Sequence, residues 1–164
     1  MGVTGCGKTT VGAMLASACG WEFHDADDFH SAENVAKMRS GNALDDDDRW
    51  PWLDSLNKYI IHNERQGKSL VLACSALNQA YRDRLALGCR SARFVFLDGE
   101  KELIRRRLLA RQGHYMSPKL IESQFALLER PEDALVLDVS ADPATLVREI
   151  RKQLVSCRPS RDSV

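Results

Sequence analysis

The sequence predicts an α/β fold of three layers, in which a parallel sheet is covered by helices on both faces. Short apolar runs alternate along the 164 residues with longer segments whose apolar side chains recur at helical spacing. Strands that are separated by helices usually lie parallel in one sheet. The length suits a single domain. We place this domain at 1–157, followed by a polar tail at 158–164 that we expect to be disordered.

The first third of the chain predicts a helix, a strand and a second helix. Apolar residues recur at helical spacing over 8–19, and Gly20 is a suitable residue to end that helix. The residues at 21–25 are typical of a short strand. A second helix is expected over 31–40, because Gly41 follows it directly.

An acidic run at 45–48 has two interpretations, a helix start or a metal site. Trp52 and the apolar residues that follow it recur at helical spacing. Carboxylates in a first turn complement the helix dipole, and Pro51 is tolerated at such a position. We therefore expect a helix that begins in this run, in preference to a metal site.

The second half of the chain continues the alternation. The apolar runs at 69–74 and 94–97 fit strands that are buried on both faces. The Ser-Pro pair at 117–118 and the Asp-Pro pair at 142–143 are typical of helix starts. In chain order, the expected elements are a strand over 69–74, a helix over 78–87, a strand over 94–97, a basic helix over 100–112, a helix over 117–128, a strand over 135–139 and a helix from 142 onward.

Charge and cysteine content argue against several classes of protein. Lys and Arg together number 23, as do Asp and Glu, so no overall positive field favours nucleic acid. No apolar run approaches the ~20 residues that a membrane helix needs, and the first residues do not resemble a secretory signal. Five widely spaced cysteines indicate neither a disulfide framework nor a zinc site. We expect a cytoplasmic protein with reduced thiols that binds neither nucleic acid nor membrane.

The residues at 2–9 match the phosphate-binding motif G-x-x-x-x-G-K-[ST], and a predicted helix follows at once. In this motif the glycines turn backbone N–H groups toward phosphate oxygens, and the helix directs its N-terminus at the same anion. Lys8 is expected to reach the β- and γ-phosphates of ATP, and the Thr9 hydroxyl to bind Mg²⁺. The immediate helix favours this P-loop NTPase motif over a chance glycine-rich loop. The expected nucleotide-binding residues of the loop are Gly2, Val3, Thr4, Gly5, Cys6, Gly7, Lys8, Thr9 and Thr10.

A phosphate loop usually follows a central strand of the sheet, whereas only Met1 precedes Gly2 in this sequence. We therefore expect the first central strand to be missing. Its absence would leave the edges of the neighbouring strands unpaired and would remove core side chains. Either this chain lacks an upstream segment, or it is a variant form of low stability.

Two carboxylates follow the first predicted strand. Alternate residues at the carboxyl end of a strand, here Asp25 and Asp27, can both lie near the phosphate loop. One could support Mg²⁺ through water, and the other could accept the proton of an attacking hydroxyl. Aspartate is also common in turns, so a capped turn stays an equal alternative at this point.

The basic helix leads into a loop at about 111–118. Its arginines, among them Arg107 and Arg111, could belong to a hinged lid that closes over ATP, neutralises the transferring phosphoryl group and stacks on adenine. A solvated basic face is the alternative. His114 is either a lid contact or an ordinary loop residue.

Over nearly its whole length the sequence resembles the gluconokinase family, among the shikimate-kinase-like and adenylate-kinase-like P-loop kinases. The acidic-Arg-x-Pro-Trp-Leu pattern within 45–53 and the Cys-Ser-Ala-Leu pattern at 74–77 are specific to gluconokinases. The segments that carry the resemblance lie at 1–9, 25–30, 34–38, 44–53, 73–77, 81–83, 107–116 and 123–125.

This resemblance implies transfer of the ATP γ-phosphate to the 6-hydroxyl of D-gluconate, with Mg²⁺, by a cytoplasmic protein that usually forms a homodimer. It implies catalytic roles for Lys8 and Asp27, with Asp27 as the carboxylate that faces the substrate. It also implies that Asp25 supports Mg²⁺ together with Thr9. The substrate-binding helices are expected at about 31–66.

The resemblance also implies roles for basic residues. Arg107 would stack on adenine, and Arg111 would contact the phosphates during catalysis. Arg49 would pair with the gluconate carboxylate, because a bidentate guanidinium suits that anion. Arg82 and His114 are further substrate candidates.

Two other functions stay open. The first is a kinase of the same fold that acts on another small hydroxyl substrate, such as shikimate or a nucleoside monophosphate; the gluconokinase-specific segments argue against it. The second is a catalytically impaired form that acts only as a binding protein, as a result of the missing first strand.

Overall fold

Helices and strands alternate along the chain in the computed structural model, which describes residues 1–110 and 118–156. The predicted elements are confirmed, with ends that differ by a few residues. The helices are α1 (Lys8–Cys19), α2 (Ala32–Arg39), α3 (Asp46–Arg65), α4 (Gln79–Ala86), α5 (Lys101–Leu109), α6 (Pro118–Leu127) and α7 (Pro143–Ser156). The strands are β1 (Glu22–Asp25), β2 (Leu70–Ala73), β3 (Phe94–Asp98) and β4 (Ala134–Asp138). A short 3₁₀ helix, Ala26–Phe29, follows β1.

The acidic run at 45–48 begins α3, as predicted. The Asp45 side chain accepts a hydrogen bond from the Asp48 N–H, and the Asp48 side chain accepts one from the Asp45 N–H, which is a reciprocal capping box. Lys37 of α2 donates to both carboxylates, so the two helices are joined here. Within the described residues, no group of three or more His, Cys, Asp or Glu side chains could hold a metal ion by itself.

The strands form two parallel pairs. β1 pairs with β2, from Glu22 opposite Leu70 to Asp25 opposite Ala73, and β3 pairs with β4. Over the two described ranges, β2 and β3 do not pair with each other. The predicted parallel pairing is therefore confirmed within each pair, and a gap separates β2 from β3 in the described residues.

Met1 and Gly2 lie in this gap, at the end nearest the phosphate loop. The Met1 nitrogen donates to the Val95 carbonyl at 2.6 Å, and the Leu97 N–H donates to the Met1 carbonyl at 3.0 Å. This is how a residue of a parallel strand pairs with its neighbour. On the other side, the Gly2 N–H donates to the Ser75 carbonyl at 3.1 Å, just beyond β2. Further along the gap lies a cavity of about 310 Å³.

Two apolar clusters pack the helices against the strands. One joins α1, α5 and α7 around Ile104 and Ile150, which are 0% and 2% exposed. The other joins α3 and α4 around Leu53 and Leu56, which are both fully buried. Full burial of such a side chain contributes roughly 1.5–3 kcal/mol. The clusters therefore supply the two helical layers of the predicted fold.

Two further features of the fold are the state of its cysteines and the character of its helices. Cys6, Cys19, Cys74 and Cys89 are free cysteines, and Cys157 lies outside the described residues. None of the helices in the described ranges combines the length and the apolar character needed to cross a membrane.

Candidate active site

The phosphate loop connects Met1 to α1 by a tight path in which two glycines are required. A Cβ atom added to Gly5 would lie 2.7 Å from Leu108 Cγ of α5. Gly7 has a φ of 98°, a left-handed conformation that directs the chain into α1. Because these positions accept only glycine without strain, the loop keeps the compact shape in which N–H groups can surround a phosphate.

Lys8 begins α1 and lies over the loop. Its Nζ donates hydrogen bonds to the Gly2 carbonyl at 3.0 Å and to the Val3 carbonyl at 2.9 Å. Its positive charge also reaches Asp27. A phosphate group held by the loop would therefore meet a cation that lies close to a carboxylate of the same site.

The end of β1 brings Asp25 against Thr9 in the first turn of α1. Thr9 Oγ1 donates to Asp25 Oδ2 at 3.0 Å, and the Asp27 N–H donates to Asp25 Oδ1 at 3.2 Å. Hydroxyl and carboxylate oxygens are the ligands that Mg²⁺ prefers, and this ion commonly takes only one or two protein ligands beside phosphates and water. The Thr9–Asp25 pair therefore fits the metal-binding role predicted for it.

Asp27 lies in the 3₁₀ helix directly after β1. Its side chain is 80% exposed, so its outer side is open to an approaching substrate. Its pKa is raised above the ordinary value, first because the atoms packed behind it keep water away, and second because Asp25 carries the same charge. His30 and Lys8 oppose this shift. A carboxylate with a raised pKa accepts a proton more readily.

His30 lies beside Asp27, and sequence reasoning assigned it no role. Its side chain is 4% exposed and stacks on Trp52, with 4.3 Å between ring centroids. Nε2 lies 3.9 Å from Asp27 Oδ1, and Nδ1 has no hydrogen-bond partner within the described residues. Burial lowers the pKa of His30. The negative charge of Asp27 opposes this shift, and the positive charge of Arg49 reinforces it. A histidine three residues after an aspartate is too common a pattern to have indicated this contact.

Arg49, in the first turn of α3, is held by Tyr81 of α4 and by Asp46. Its Nη1 donates to the Tyr81 hydroxyl at 3.1 Å and lies 3.8 Å from Asp46 Oδ1. The Tyr81 hydroxyl donates in turn to Asp46, and the guanidinium carbon lies 5.5 Å from the Tyr81 ring centroid. Because the charge of Arg49 reaches His30, this guanidinium lies on the same side of the molecule as Asp27. Sequence reasoning missed Tyr81 and Asp46, which pair across two helices.

Arg82 stabilises the fold through hydrogen bonds within the protein, and we withdraw the substrate role predicted for it. The residue is 3% exposed. Its Nη1 donates to the carbonyls of Ala76, Leu77 and Glu129 at 3.1–3.2 Å. Its Nε and Nη2 donate to Gln79. The guanidinium therefore ties the start of α4 to the chain that follows α6, and a buried cation used in this way does not face a substrate.

A second cavity, of about 260 Å³, lies beside the phosphate loop. Arg107 of α5 lines it and donates from Nη2 to the Val139 carbonyl at 2.7 Å. A mostly apolar cavity with one guanidinium, next to a phosphate loop, suits the base of a nucleotide. Arg111 and His114 lie outside the described residues. The other lining residues are Gly5, Cys6, Gly7, Thr10, Val11, Ala141, Pro143 and Leu146.

Gln124 of α6 contacts the phosphate loop directly, which sequence reasoning also missed. Its Oε1 accepts a hydrogen bond from the Thr4 N–H at 2.7 Å, across 120 residues of sequence. Since a backbone N–H can only donate, the amide oxygen must face the loop. The helix that follows the predicted lid is thus tied to the nucleotide site.

Comparisons with known proteins agree with this geometry. The family model described as shikimate kinase matches residues 4–154. The probable gluconokinase of Xenopus tropicalis is 41% identical over 172 residues, which cover 94% of this chain and 90% of that protein. The thermosensitive gluconokinase of Escherichia coli (strain K12) is 38% identical over 165 residues, which cover 98% of this chain and 88% of that protein.

A solved structure is similar over the same extent. The gluconokinase from Sinorhizobium meliloti 1021 has a TM-score of 0.86 at 38% identity, and the match covers 95% of this chain and 89% of that chain. The carboxylates at and after the end of β1 and the residues that line the cavity beside the loop lie within residues 4–154, which the family model matches. The chain therefore belongs to the gluconokinase family of P-loop kinases.

Proposed function

We propose that this protein transfers the γ-phosphoryl group of ATP to the 6-hydroxyl of D-gluconate, giving 6-phospho-D-gluconate and ADP. The observation that carries the proposal is that the Thr9–Asp25 pair, Lys8 and Asp27 meet where α1 begins and β1 ends. The names of the relatives in Xenopus tropicalis and Escherichia coli support gluconate as the acceptor.

The nucleotide would be held by the loop at 2–9 and by α5. Backbone N–H groups of the loop and the Lys8 ammonium bind its phosphates, while Arg107 lies against the base. Thr9 and Asp25 supply the oxygen atoms for Mg²⁺. When bound, Mg²⁺ neutralises part of the phosphate charge.

The acceptor hydroxyl would meet Asp27. This carboxylate is exposed, and its raised pKa suits it to take the proton from the hydroxyl as the new O–P bond forms. Lys8 lies close enough to influence Asp27 electrostatically. It can therefore compensate negative charge that develops on the transferred phosphoryl group.

Arg49 would bind the carboxylate at the other end of the acceptor. Tyr81 and Asp46 fix its guanidinium in place, so less side-chain freedom is lost on binding. A fixed guanidinium beyond Asp27 selects an acceptor that carries a hydroxyl at one end and an anion at the other. Gluconate has both.

A panel of acceptors tests this function. ADP release would be measured with ATP and Mg²⁺ in the presence of gluconate, shikimate, glucose or a nucleoside monophosphate, with Lys8→Ala as the inactive control. We expect turnover with gluconate alone, and phosphorus NMR should locate the product phosphate on the 6-oxygen. Turnover of another acceptor in place of gluconate, or turnover retained by Lys8→Ala, would contradict the proposal.

Shikimate kinase is the second candidate, because the matching family model has that description. Shikimate also combines a hydroxyl with a carboxylate that Arg49 could bind. Turnover of shikimate without turnover of gluconate would favour it.

The homodimer and the cytoplasmic location that the family implies remain proposals. Light scattering on the purified protein, with and without ATP, tests the first: we expect the mass of two chains. Fractionation of cells that express the chain tests the second.

A further inference from the structure

Trp52 of α3 holds both ends of the 3₁₀ helix that carries Asp27. Its indole Nε1 donates a hydrogen bond of 2.8 Å to the carbonyl of Ala26, the first residue of this helix. Its ring stacks on His30, the residue that follows the helix, with 4.3 Å between ring centroids and 16° between ring planes. Trp52 and Ala26 are 6% and 0% exposed. Because a helix of only four residues has little stability of its own, these buried contacts determine where Asp27 lies.

Trp52 and Arg49 lie three residues apart on α3, a spacing that places them on one face of the helix. The Arg49 guanidinium is held there by the Tyr81 hydroxyl and by Asp46. One helix therefore carries the cation expected to bind the acceptor carboxylate and the ring that supports the base expected to meet the acceptor hydroxyl. The separation between Arg49 and Asp27 is thus fixed by the packing of α3 against the 3₁₀ helix.

His30 is within electrostatic reach of both charged groups. Its Nε2 lies 3.9 Å from Asp27 Oδ1, and the charges of Asp27 and Arg49 both influence its pKa. Burial lowers that pKa below the ordinary 6.5, so the ring carries one proton at neutral pH. Nδ1 is buried without a hydrogen-bond partner among the described residues, so a proton on this atom would be a donor without an acceptor. The proton is therefore favoured on Nε2, where it faces the Asp27 carboxylate.

We propose that His30 and Trp52 are positioning residues that set the distance between Asp27 and Arg49 and thereby select the acceptor by its length. This inference rests on the proposed function, in which the carboxylate of gluconate pairs with Arg49 and its 6-hydroxyl meets Asp27. An acceptor of the same chemistry with one carbon less or more would bind Arg49 and hold its terminal hydroxyl away from Asp27. One carbon changes the length of such a chain by about 1 Å, and a misplacement of this size can lower the rate about 100-fold.

The two aromatic side chains would act through Asp27 rather than on the acceptor itself. The His30 side chain is 4% exposed, whereas that of Asp27 is 80% exposed. A buried ring behind an exposed carboxylate supports it without meeting the substrate. Removal of the imidazole would leave Asp27 free to shift relative to Arg49, so acceptors of other lengths would be phosphorylated relatively better.

A series of aldonates tests the proposal. kcat/KM would be measured with ATP and Mg²⁺ for D-xylonate, D-gluconate and D-glucoheptonate, which have five, six and seven carbons. We expect the wild type to prefer gluconate, and the preference to fall about tenfold in His30→Ala. Trp52→Phe, which keeps a ring for the stack and removes the N–H bound to Ala26, should also lower the preference. The ratio of two kcat/KM values from one preparation does not depend on the fraction of protein that is folded.

Two further variants separate this role from simple packing. His30→Gln should keep more of the preference than His30→Ala, because the glutamine amide supplies an N–H that can face Asp27. Phe29→Leu is the matched control: Phe29 belongs to the same 3₁₀ helix but packs on Tyr59, with 5.1 Å between ring centroids. We expect it to leave the preference unchanged. In the wild type, ¹⁵N NMR of the His30 ring should show the proton on Nε2.

The proposal is overturned if His30→Ala lowers kcat/KM for all three aldonates by the same factor, or if His30→Gln behaves like His30→Ala. A change in preference of equal size in Phe29→Leu, or a proton on Nδ1 of His30, would also contradict it. Failure of the wild type to phosphorylate gluconate would overturn the proposed function and this inference together. An unchanged preference in a wild type and variants that do phosphorylate gluconate would overturn only the inference.

Discussion

Thr9 and Asp25 share a hydrogen bond of 3.0 Å between the first turn of α1 and the last residue of β1. Parallel pairing of β1 with β2 fixes the end of β1, and α1 packs against both strands. The distance between hydroxyl and carboxylate is thus set by the fold rather than by a flexible loop. Two oxygen ligands placed in this way are suited to hold Mg²⁺ beside a phosphate loop.

We expect Thr9→Val to raise the Mg²⁺ concentration needed for half-maximal activity by about tenfold or more, because one oxygen ligand is lost at nearly constant side-chain volume. Activity would be measured over a Mg²⁺ titration at fixed ATP and gluconate. Ser17→Ala, on an exposed position of the same helix, is the control and should leave the titration unchanged. An unaltered Mg²⁺ requirement in Thr9→Val would exclude Thr9 from the metal site.

Asp27→Asn should lower kcat by roughly 10²–10⁴-fold, because an amide cannot accept the proton of the attacking hydroxyl. Binding of ATP should persist, since the loop and Lys8 are unchanged. Steady-state kinetics and titration with a fluorescent ATP analogue separate the two effects. Asp28→Asn is the matched control, as Asp28 is the next exposed carboxylate of the same 3₁₀ helix. Equal losses in both variants would show that the local charge matters rather than Asp27 itself.

Arg49→Ala should raise the KM for gluconate by about 10–100-fold and leave the KM for ATP nearly constant, in line with the loss of hydrogen bonds to a charged group. Tyr81→Phe should raise the KM for gluconate by less, because it removes only the hydroxyl that fixes the guanidinium. Arg49→Lys should resemble Arg49→Ala more than the wild type, because lysine lacks the planar fork. A KM for gluconate that stays constant in Arg49→Ala would remove this residue from the acceptor site.

The sequence was sufficient to predict features that depend on local chemistry. The loop from Gly2 to Thr9 needs glycines at fixed spacing, and a helix start in the acidic run at 45–48 needs only neighbours along the chain. Arg82 was misjudged, because its partners include Glu129, which no local pattern connects to it. The contacts of Gln124 and Tyr81 were not predicted for the same reason, because they arise from the packing of helices that are distant in sequence.

The stability of the fold should decrease at low pH as Asp45 becomes protonated. The hydrogen bond from Lys37 is the main reason why the pKa of Asp45 falls from its ordinary 3.8 to about 2. The hydrogen bond from the Asp48 N–H contributes to the same shift. A carboxylate whose pKa is lowered by folding stabilises the folded state above its unfolded pKa, and this contribution is lost as the pH falls through the folded pKa. The relevant window therefore runs from about pH 4 down to about pH 2.

Asp45→Asn isolates this charge, because asparagine is also a good N-cap. We expect the variant to have a lower Tm than the wild type at pH 7, and the difference to shrink as the pH falls toward 2. Asp47→Asn, in the same first turn but outside the capping box, should show a smaller difference at pH 7. Thermal unfolding followed by circular dichroism across the pH range measures both variants. A constant difference between Asp45→Asn and the wild type at all pH values would contradict the linkage.

Arg82→Met should destabilise the fold by about 3 kcal/mol without changing the KM for gluconate. The substitution leaves buried carbonyls without donors, each of which costs about 1–3 kcal/mol. One of them belongs to Ala76, whose φ of 43° is unusual for a residue other than glycine and is held by this hydrogen bond.

Arg84→Met, on the same helix, is the matched control, because Arg84 forms an exposed ion pair with Asp54 and such pairs contribute little. Urea unfolding and gluconate kinetics on both variants distinguish a structural arginine from a substrate-binding one. If Arg82→Met is as stable as the wild type and its KM for gluconate rises, the guanidinium binds the acceptor after all, and the structural role assigned to it is wrong.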